Sequence, residues 1–159
     1  MIKVKVLIKF IFLISFLSSC GGPGSSTNVP QAKLAGPTSI DIGRHIIYFS
    51  AQPAKQIAPE VAEKYNIKRS SKRAMLNISI IQKSSGFSVM ADITIEASNM
   101  TGQIKNIELQ EIQEPSNVVF YIGNTNIANR EVIIFNINIK PENEEKTAQI
   151  KFERQFYID

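Results

Sequence analysis

The feature of this sequence that most restricts its fold is an alternation of apolar and polar side chains, with a period of two, in residues 74–97. From Phe87 to Ala97 every odd-numbered residue is apolar, and Asp92, Thr94 and Glu96 occupy even-numbered positions between them. A β-strand directs successive side chains to opposite faces, whereas an α-helix needs a period near 3.6. The pattern therefore predicts strands that bury one face and leave the other wetter.

The same stretch contains a turn signal, Ser84-Ser85-Gly86. A short segment of serine and glycine between two alternating runs is typical of a β-hairpin. The sequence therefore predicts two paired strands, one beginning at Ala74 and the other running from Phe87 to Ala97.

Five further strands are predicted where β-branched residues cluster between polar turns. They are expected at residues 39–50, 104–112, 118–123, 130–140 and 148–158. In the last of these, Arg154 falls on the apolar face, which predicts a bulge or an exposed strand end. Residues 59–65 are predicted to be a short helix, since Pro59 suits a first helical turn and Asn66 can adopt the left-handed conformation that ends one.

Seven short strands and one short helix indicate an all-β fold, an immunoglobulin-like antiparallel β-sandwich of about seven strands. The chain has one cysteine and no tryptophan, so it lacks the Cys…Trp…Cys core of antibody domains. The similarity to immunoglobulin domains therefore concerns architecture alone.

The first twenty residues have the layout of a bacterial secretion signal. Three lysines within the first nine residues precede an apolar run at residues 10–17, which is shorter than the roughly 20 residues of a membrane-spanning helix. The tetrapeptide Leu17-Ser18-Ser19-Cys20 resembles the lipobox of bacterial lipoproteins and predicts lipidation of Cys20. Two alternatives stay open: an ordinary cleaved signal with a chance cysteine, and an uncleaved anchor.

The residue after the cysteine bears on location. Gly21 is not aspartate, and resemblance to sorted lipoproteins then implies the periplasmic side of the outer membrane, with a soluble periplasmic protein as the alternative. The predicted organisation is a signal peptide at residues 1–19, a flexible tether at residues 20–37 and a β-sandwich domain at residues 38–159. The tether is rich in Gly, Pro and Ser, a composition that cannot bury enough apolar surface to fold.

The net charge indicates possible partners only after the charge of the predicted signal peptide is subtracted. The whole chain carries +4, but residues 1–19 contain three lysines and no acidic residue, so the mature chain of 140 residues would carry +1. A nearly neutral domain gives no reason to expect nucleic acid as a partner. The expected partners are the membrane, through the amino-terminal lipid, and an envelope protein or an anionic envelope ligand.

Residues that commonly carry chemistry are sparse. His45 is the only histidine and Cys20 the only cysteine, too few for a usual zinc site, and no Gly-x-Ser-x-Gly motif accompanies them. No catalytic residue, metal site or cofactor is therefore expected, and His45 is interpreted as structural or exposed. Glu142, Glu144 and Glu145 are interpreted as a solvated turn.

One charged cluster is a candidate binding site. We call residues 68–73 the basic loop; its cations are Lys68, Arg69, Lys72 and Arg73. Guanidinium groups suit carboxylate and phosphate, so Arg69 and Arg73 are expected to form part of an anionic contact surface, with a spacing that permits convergence on one anion. The alternative is a solvated loop whose arginines brace nearby backbone carbonyls.

The order of motifs from Gly43 onward resembles a family of small exported proteobacterial proteins that is known only as a domain of unknown function. The resemblance is carried by Ala58-Pro59-Glu60-Val61-Ala62, Tyr65-Asn66-Ile67, Arg69-Ser70, Arg73-Ala74-Met75-Leu76-Asn77-Ile78, Phe152 and Phe156-Tyr157. It implies a secreted β-sandwich without an assigned activity. Many members of that family are soluble periplasmic proteins, so a lipobox would be a departure from it.

Three classes of function fit these features. The preferred one is a non-enzymatic binding or assembly module of the cell envelope, anchored to the outer membrane. The second is a structural lipoprotein that supports an envelope complex by strand addition at a sheet edge. The third is an enzyme of unrecognised type.

Overall fold

The computed structural model describes residues 36–158, which form two antiparallel sheets. The strands are β1 (Ser39–Ile42), β2 (His45–Pro53), β3 (Arg73–Gln82), β4 (Ala91–Asn99), β5 (Ile104–Lys105), β6 (Glu108–Glu114), β7 (Val118–Asn126), β8 (Val132–Pro141) and β9 (Ala148–Gln155). The first sheet has the order β1-β2-β3-β7-β6, and the second has the order β5-β4-β8-β9. The prediction of an all-β antiparallel sandwich is confirmed.

The strand order is that of an immunoglobulin-like sandwich. Strands β2-β3-β7-β6 correspond to A-B-E-D, and strands β4-β8-β9 correspond to C-F-G, of an immunoglobulin constant domain. Strand β1 extends the first sheet beside β2, and β5 extends the second sheet beside β4.

Two predicted strands are each divided in the structure, so the predicted count of seven was too low. Residues 39–50 form β1 and β2, because Gly43 adopts a left-handed φ of +54° and the chain turns back on itself. Residues 104–112 form β5 and β6, which pair with β4 and β7 in different sheets. The chain therefore crosses from the second sheet to the first at Asn106 and Ile107.

The prediction that two strands within residues 74–97 pair as a hairpin is wrong, although the residues beside the predicted turn do pair. The N–H of Gln82 donates to the carbonyl of Phe87 at 2.9 Å, and Ile81 forms an isolated bridge with Ser88. Beyond this bridge the chain leaves the first sheet, and β4 pairs with β8. Strand β3 has β2 on one side and β7 on the other over most of its length, so little edge is left for β4.

The core lies between the two sheets and is built from inward-facing residues of both. In β8 the odd-numbered residues from Ile133 to Ile139 are buried, which is the period of two expected of a strand. The ring of Phe152 in β9 lies 4.9 Å from the ring of Phe49 and 4.8 Å from that of Phe135, measured between centroids. Aromatic contacts thus join the two sheets.

The predicted helix is confirmed as α1 (Pro59–Lys64), and Asn66 follows it with a left-handed φ of +52°. A second apolar cluster forms where the helix and its flanking residues pack against the first sheet, away from the main core. This packing positions the basic loop, which leads from the helix into β3. The buried members of the cluster are Ile57, Ala62, Ile67, Met75 and Ile122.

Candidate functional site

The cations of the basic loop differ in exposure. Lys68, Arg69 and Lys72 are exposed, whereas Arg73 is the first residue of β3 and is partly buried. The loop is held to β7 by its backbone, because the N–H of Ile127 donates to the carbonyl of Lys72 at 3.0 Å. Arg73 is therefore the member of the cluster that the fold fixes most firmly.

The two arginines reach opposite sides of β3. Nη2 of Arg69 donates to the backbone carbonyl of Lys55 at 3.0 Å, in the short turn that follows β2. Nη2 of Arg73 lies 3.7 Å from Oε2 of Glu108 in β6, on the other side of β3. The two side chains therefore do not converge in this structure, and Arg69 braces a carbonyl. The anionic contact surface stays a prediction.

Arg73 lines a small polar cavity of about 230 Å³ where β3 begins and β7 ends, beside β5 and β6. Strand register places Arg73 opposite Asn126, and Asn124 lies two residues along β7 on the same face. We call this space the Arg73 cavity. Its polar lining comprises Arg73, Gln103, Lys105, Asn106, Glu108, Asn124, Thr125 and Asn126.

Two residues that line the Arg73 cavity each have a buried polar atom without a hydrogen-bond partner among the described residues: Nε of Arg73, a donor, and Oδ1 of Asn124, an acceptor. Leaving a buried polar group unpaired costs about 1–3 kcal/mol, and such groups are almost always paired with protein, water or a ligand. Pairing both atoms requires one acceptor and one donor.

The other cation of the cavity, Lys105, already has a partner. Its Nζ lies 2.6 Å from Oε1 of Glu131, and the two side chains are 12% and 8% exposed. Nδ2 of Asn99 donates to the same oxygen at 2.9 Å, and the N–H of Ala128 donates to the other oxygen at 2.8 Å. Burial alone would raise the pKa of the Glu131 carboxyl, but these hydrogen bonds hold that pKa below its ordinary value. Both cations of the cavity thus have a carboxylate partner, but the contact of Arg73 with the exposed Glu108 is longer, at 3.7 Å, than that of Lys105 with Glu131.

The sequence pointed to Arg73 but not to the residues around it. Lys105, Asn124 and Asn126 belong to other strands, and no local motif connects them with Arg73. The available signal was an amide at alternate positions, Asn124 and Asn126, in a segment predicted to be a turn. In the structure those two residues continue β7 and present their side chains on one face.

His45 and the acidic turn form a separate, structural contact. His45 is buried, and its Nδ1 lies 3.4 Å from Oε1 of Glu144, which also accepts a hydrogen bond from Nε of Arg44 at 2.9 Å. That hydrogen bond lowers the pKa of the Glu144 carboxyl. The interpretation of this turn as solvated is therefore wrong for Glu144, whereas Glu142 and Glu145 are exposed.

The structure bears on metal binding and on membrane spans, and it does not describe the predicted lipidation site. The part of the chain that the structure describes contains no group of three or more His, Cys, Asp or Glu side chains that could hold a metal ion. In that same part, no helix is long and apolar enough to cross a membrane. The predicted signal peptide, Cys20 and most of the predicted tether lie outside the described residues.

Comparison with known proteins supplies a family. A crystal structure of a DUF4426 family protein from Pseudomonas aeruginosa PAO1 is similar to this chain with a TM-score of 0.65 and 20% sequence identity, over 76% of this chain and 94% of that one. At this identity the likeness shows the fold alone, and no curated protein matches the chain. The family model described as a domain of unknown function (DUF4426) matches residues 39–159. The chain therefore belongs to the DUF4426 family, a bacterial domain of unknown function.

Proposed function

We propose that this protein is a periplasmic lipoprotein, anchored to the outer membrane through Cys20, whose β-sandwich domain binds an envelope ligand without catalysing a reaction. The anchor is supported by the sequence order of lysines, apolar run and Cys20. A soluble periplasmic protein with the same binding domain is the alternative.

The Arg73 cavity carries the binding role, because Nε of Arg73 and Oδ1 of Asn124, which belong to residues that line it, are buried without partners among the described residues. A phosphate or carboxylate alone offers acceptors and would leave Asn124 Oδ1 unpaired. An amide, or a hydroxyl beside a carboxylate, offers both a donor and an acceptor. The amide side chains of the lining can bond the same groups.

The size of the cavity restricts what it holds. At about 230 Å³ it is smaller than the roughly 300–1,000 Å³ of most small-molecule sites. It therefore suits one residue-sized group of a larger molecule. Peptidoglycan fragments carry amides, hydroxyls and carboxylates side by side, so they are the envelope ligand that matches this chemistry.

The experiment measures binding of soluble peptidoglycan fragments to the purified protein by calorimetry. Arg73→Met and Asn124→Ala each remove one unpaired atom, and each should weaken binding about tenfold or more, as expected when a buried hydrogen bond to a ligand is lost. Lys72→Ala is the matched control, because this exposed neighbour carries the same charge outside the cavity and should bind as the parent does.

Stability separates a binding role from a structural one. Because Asn124 Oδ1 has no described partner, Asn124→Ala should change the free energy of unfolding by less than about 1 kcal/mol. Full binding by both cavity variants, or equal loss in Lys72→Ala, would contradict the proposed site. A large loss of stability with binding retained would assign Asn124 to the fold instead.

A further inference from the structure

The outer edge of β4 is largely unpaired. Strand β5 is two residues long and pairs with β4 at Ala97 and Ser98. Within residues 36–158 no strand pairs with the outer edge of β4 from Ala91 to Glu96, although β8 covers the inner edge along its whole length. Six residues of a core strand thus border open space.

The backbone groups that face this open edge can be identified from the hydrogen bonds at its ends. The N–H of Asn99 donates to the carbonyl of Gln103 on the β5 side, and the carbonyl of Met90 accepts from Glu142 on the β8 side. Backbone groups alternate between the two sides of an antiparallel strand. The N–H and C=O of Ile93 and Ile95 therefore point to the open side.

Ala91 shows how the fold satisfies such a group when a partner is in reach. Its N–H points to the same open side and donates to the hydroxyl of Tyr121 at 2.8 Å. The side chains of the described residues supply no such bond to Ile93 or Ile95. Four backbone groups in a row along the edge are therefore available to another strand.

The core is also incompletely closed at this edge. Ile93 and Ile95 point inward and pack against the core but stay partly exposed, whereas their partners Ile139 and Ile137 in β8 are fully buried. The other edge of the same sheet is more closed, because the inward-facing Ala148 and Ile150 of β9 are buried and only Phe152 is partly exposed. The same two residues of β4, Ile93 and Ile95, therefore have both unpaired backbone groups and partly exposed side chains.

The surroundings of the edge are acidic. Asp92 and Glu96 are exposed on the outer face of β4, on either side of Thr94. A depression of about 420 Å³ at the start of the strand is lined by Asp92, Glu111, Glu142 and Glu144, with Lys140 as its one cation among the described lining residues. Charge complementarity therefore favours a basic partner.

We propose that the outer edge of β4 is the docking site for an extended, basic segment of a partner protein, which joins the second sheet as an added strand. Its backbone pairs with Ile93 and Ile95. Its apolar residues lie beside these two isoleucines and close the core, and its lysines or arginines lie beside Asp92 and Glu96. Main-chain hydrogen bonds supply affinity in this mode, and alternate side chains supply specificity.

The probe is a short synthetic peptide of alternating lysine and valine, added to isotopically labelled protein purified in the form that the cell accumulates. Amide hydrogen exchange is followed by NMR. In the free protein the amides of Ile93 and Ile95 should exchange fast, and saturating peptide should slow them roughly tenfold or more. The amide of Lys151 in the edge strand β9 is the internal control and should not change.

Two altered peptides and one protein variant test whether binding depends on the alternating pattern and on charge. A peptide of the same composition with its lysines and valines in separate blocks, and one with glutamate in place of lysine, should both bind roughly tenfold more weakly or worse. The double variant Asp92→Lys, Glu96→Lys alters exposed side chains alone, so it should stay folded and lose binding of the alternating peptide.

Several results would overturn the proposal. Slow exchange at Ile93 and Ile95 in the free protein would show that the edge is already covered. Protection of the β9 amides instead would place docking at the other edge of the sheet. If the alternating peptide did not bind, or bound equally well to the charge-reversed protein, the proposal of a basic partner strand would be wrong.

Discussion

Gly123 shows how closely single residues limit the packing of the first sheet. It is buried in β7, and a Cβ at this position would lie 2.8 Å from Cγ2 of Ile107 and 3.4 Å from Cβ of Leu76. Ile107 is partly buried against the main core, so its methyl group would have to shift to admit a Cβ. Glycine is required here by close approach and not by backbone conformation.

Gly123→Ala is therefore expected to lower the free energy of unfolding by about 1–3 kcal/mol, the usual cost of overpacking a core. Urea denaturation followed by circular dichroism measures it. Gly36→Ala is the control, because no atom lies within 4 Å of a Cβ built there. Equal stability of the two variants would mean that Ile107 moves aside freely.

The Glu131–Lys105 pair gives the protein an acid-sensitive contact. The folded state holds the pKa of Glu131 below its ordinary value, so this carboxylate stabilises the fold above its unfolded pKa of about 4.3. That stabilisation is lost as the pH falls through the lowered folded value, when the carboxylate is protonated.

Glu131→Gln should therefore destabilise the protein by about 2–4 kcal/mol at pH 7, because it leaves Lys105 partly buried without its counter-charge. The difference from the parent should shrink below about pH 4, where the parent loses the same charge. Denaturation at both pH values measures this, with the exposed Glu142→Gln as control. A difference independent of pH would assign the effect to packing.

At the scale of strands and helices, the period of two identified which side chains face the core. It assigned Ile93 inward and Thr94 outward correctly. Arg154 is exposed near the end of β9, and the pairing of β9 with β8 is continuous there. An exposed strand end, and not a bulge, therefore explains why Arg154 falls on the apolar face. The pattern could not say which sheet a strand joins, because alternation encodes a buried face and not a neighbour. The division at Gly43 and the crossover at Asn106 and Ile107 both fall among polar residues. The glycine is a local turn signal, whereas the crossover has none, because it depends on which sheet each strand joins.

Ile95 and Ile137 are a cross-strand pair, and truncating each in turn compares the partly exposed edge of the core with its buried interior. Ile137 is buried and Ile95 is partly exposed. Ile137→Ala should cost about 2–5 kcal/mol, and Ile95→Ala should cost less, since the lost side chain was partly in water already. Thermal and urea unfolding of both variants measure the two losses. Equal losses would mean that the outer edge of β4 is covered in solution.

At the scale of the whole molecule, the proposed cellular location rests on a contiguous signal. Charge, apolar run and cysteine follow one another along the chain, and their chemistry does not depend on folding. The Arg73 cavity could not be predicted in the same way, because Arg73, Lys105 and Asn124 meet only after strands from distant parts of the chain have paired.

Lipidation is expected at Cys20, and mass spectrometry of the mature amino terminus should find an acylated cysteine there. Cys20→Ala should block this processing and release the domain from membrane fractions or leave an uncleaved precursor. An unmodified terminus elsewhere, in a protein that stays in the soluble periplasmic fraction, would contradict the anchor and favour the soluble alternative.

The pairing of β4 with β8 also sets a sequence of events in time. Ala91 pairs with Pro141, so β4 leaves the translation machinery well before the strand that will hold it. Until β8 follows, the apolar face of β4 has no sheet to join, and β9 likewise depends on β8. Such non-local pairing makes folding slow and leaves strand edges open to proteases and aggregation. The second sheet can therefore form only once β8 is available to pair with both β4 and β9.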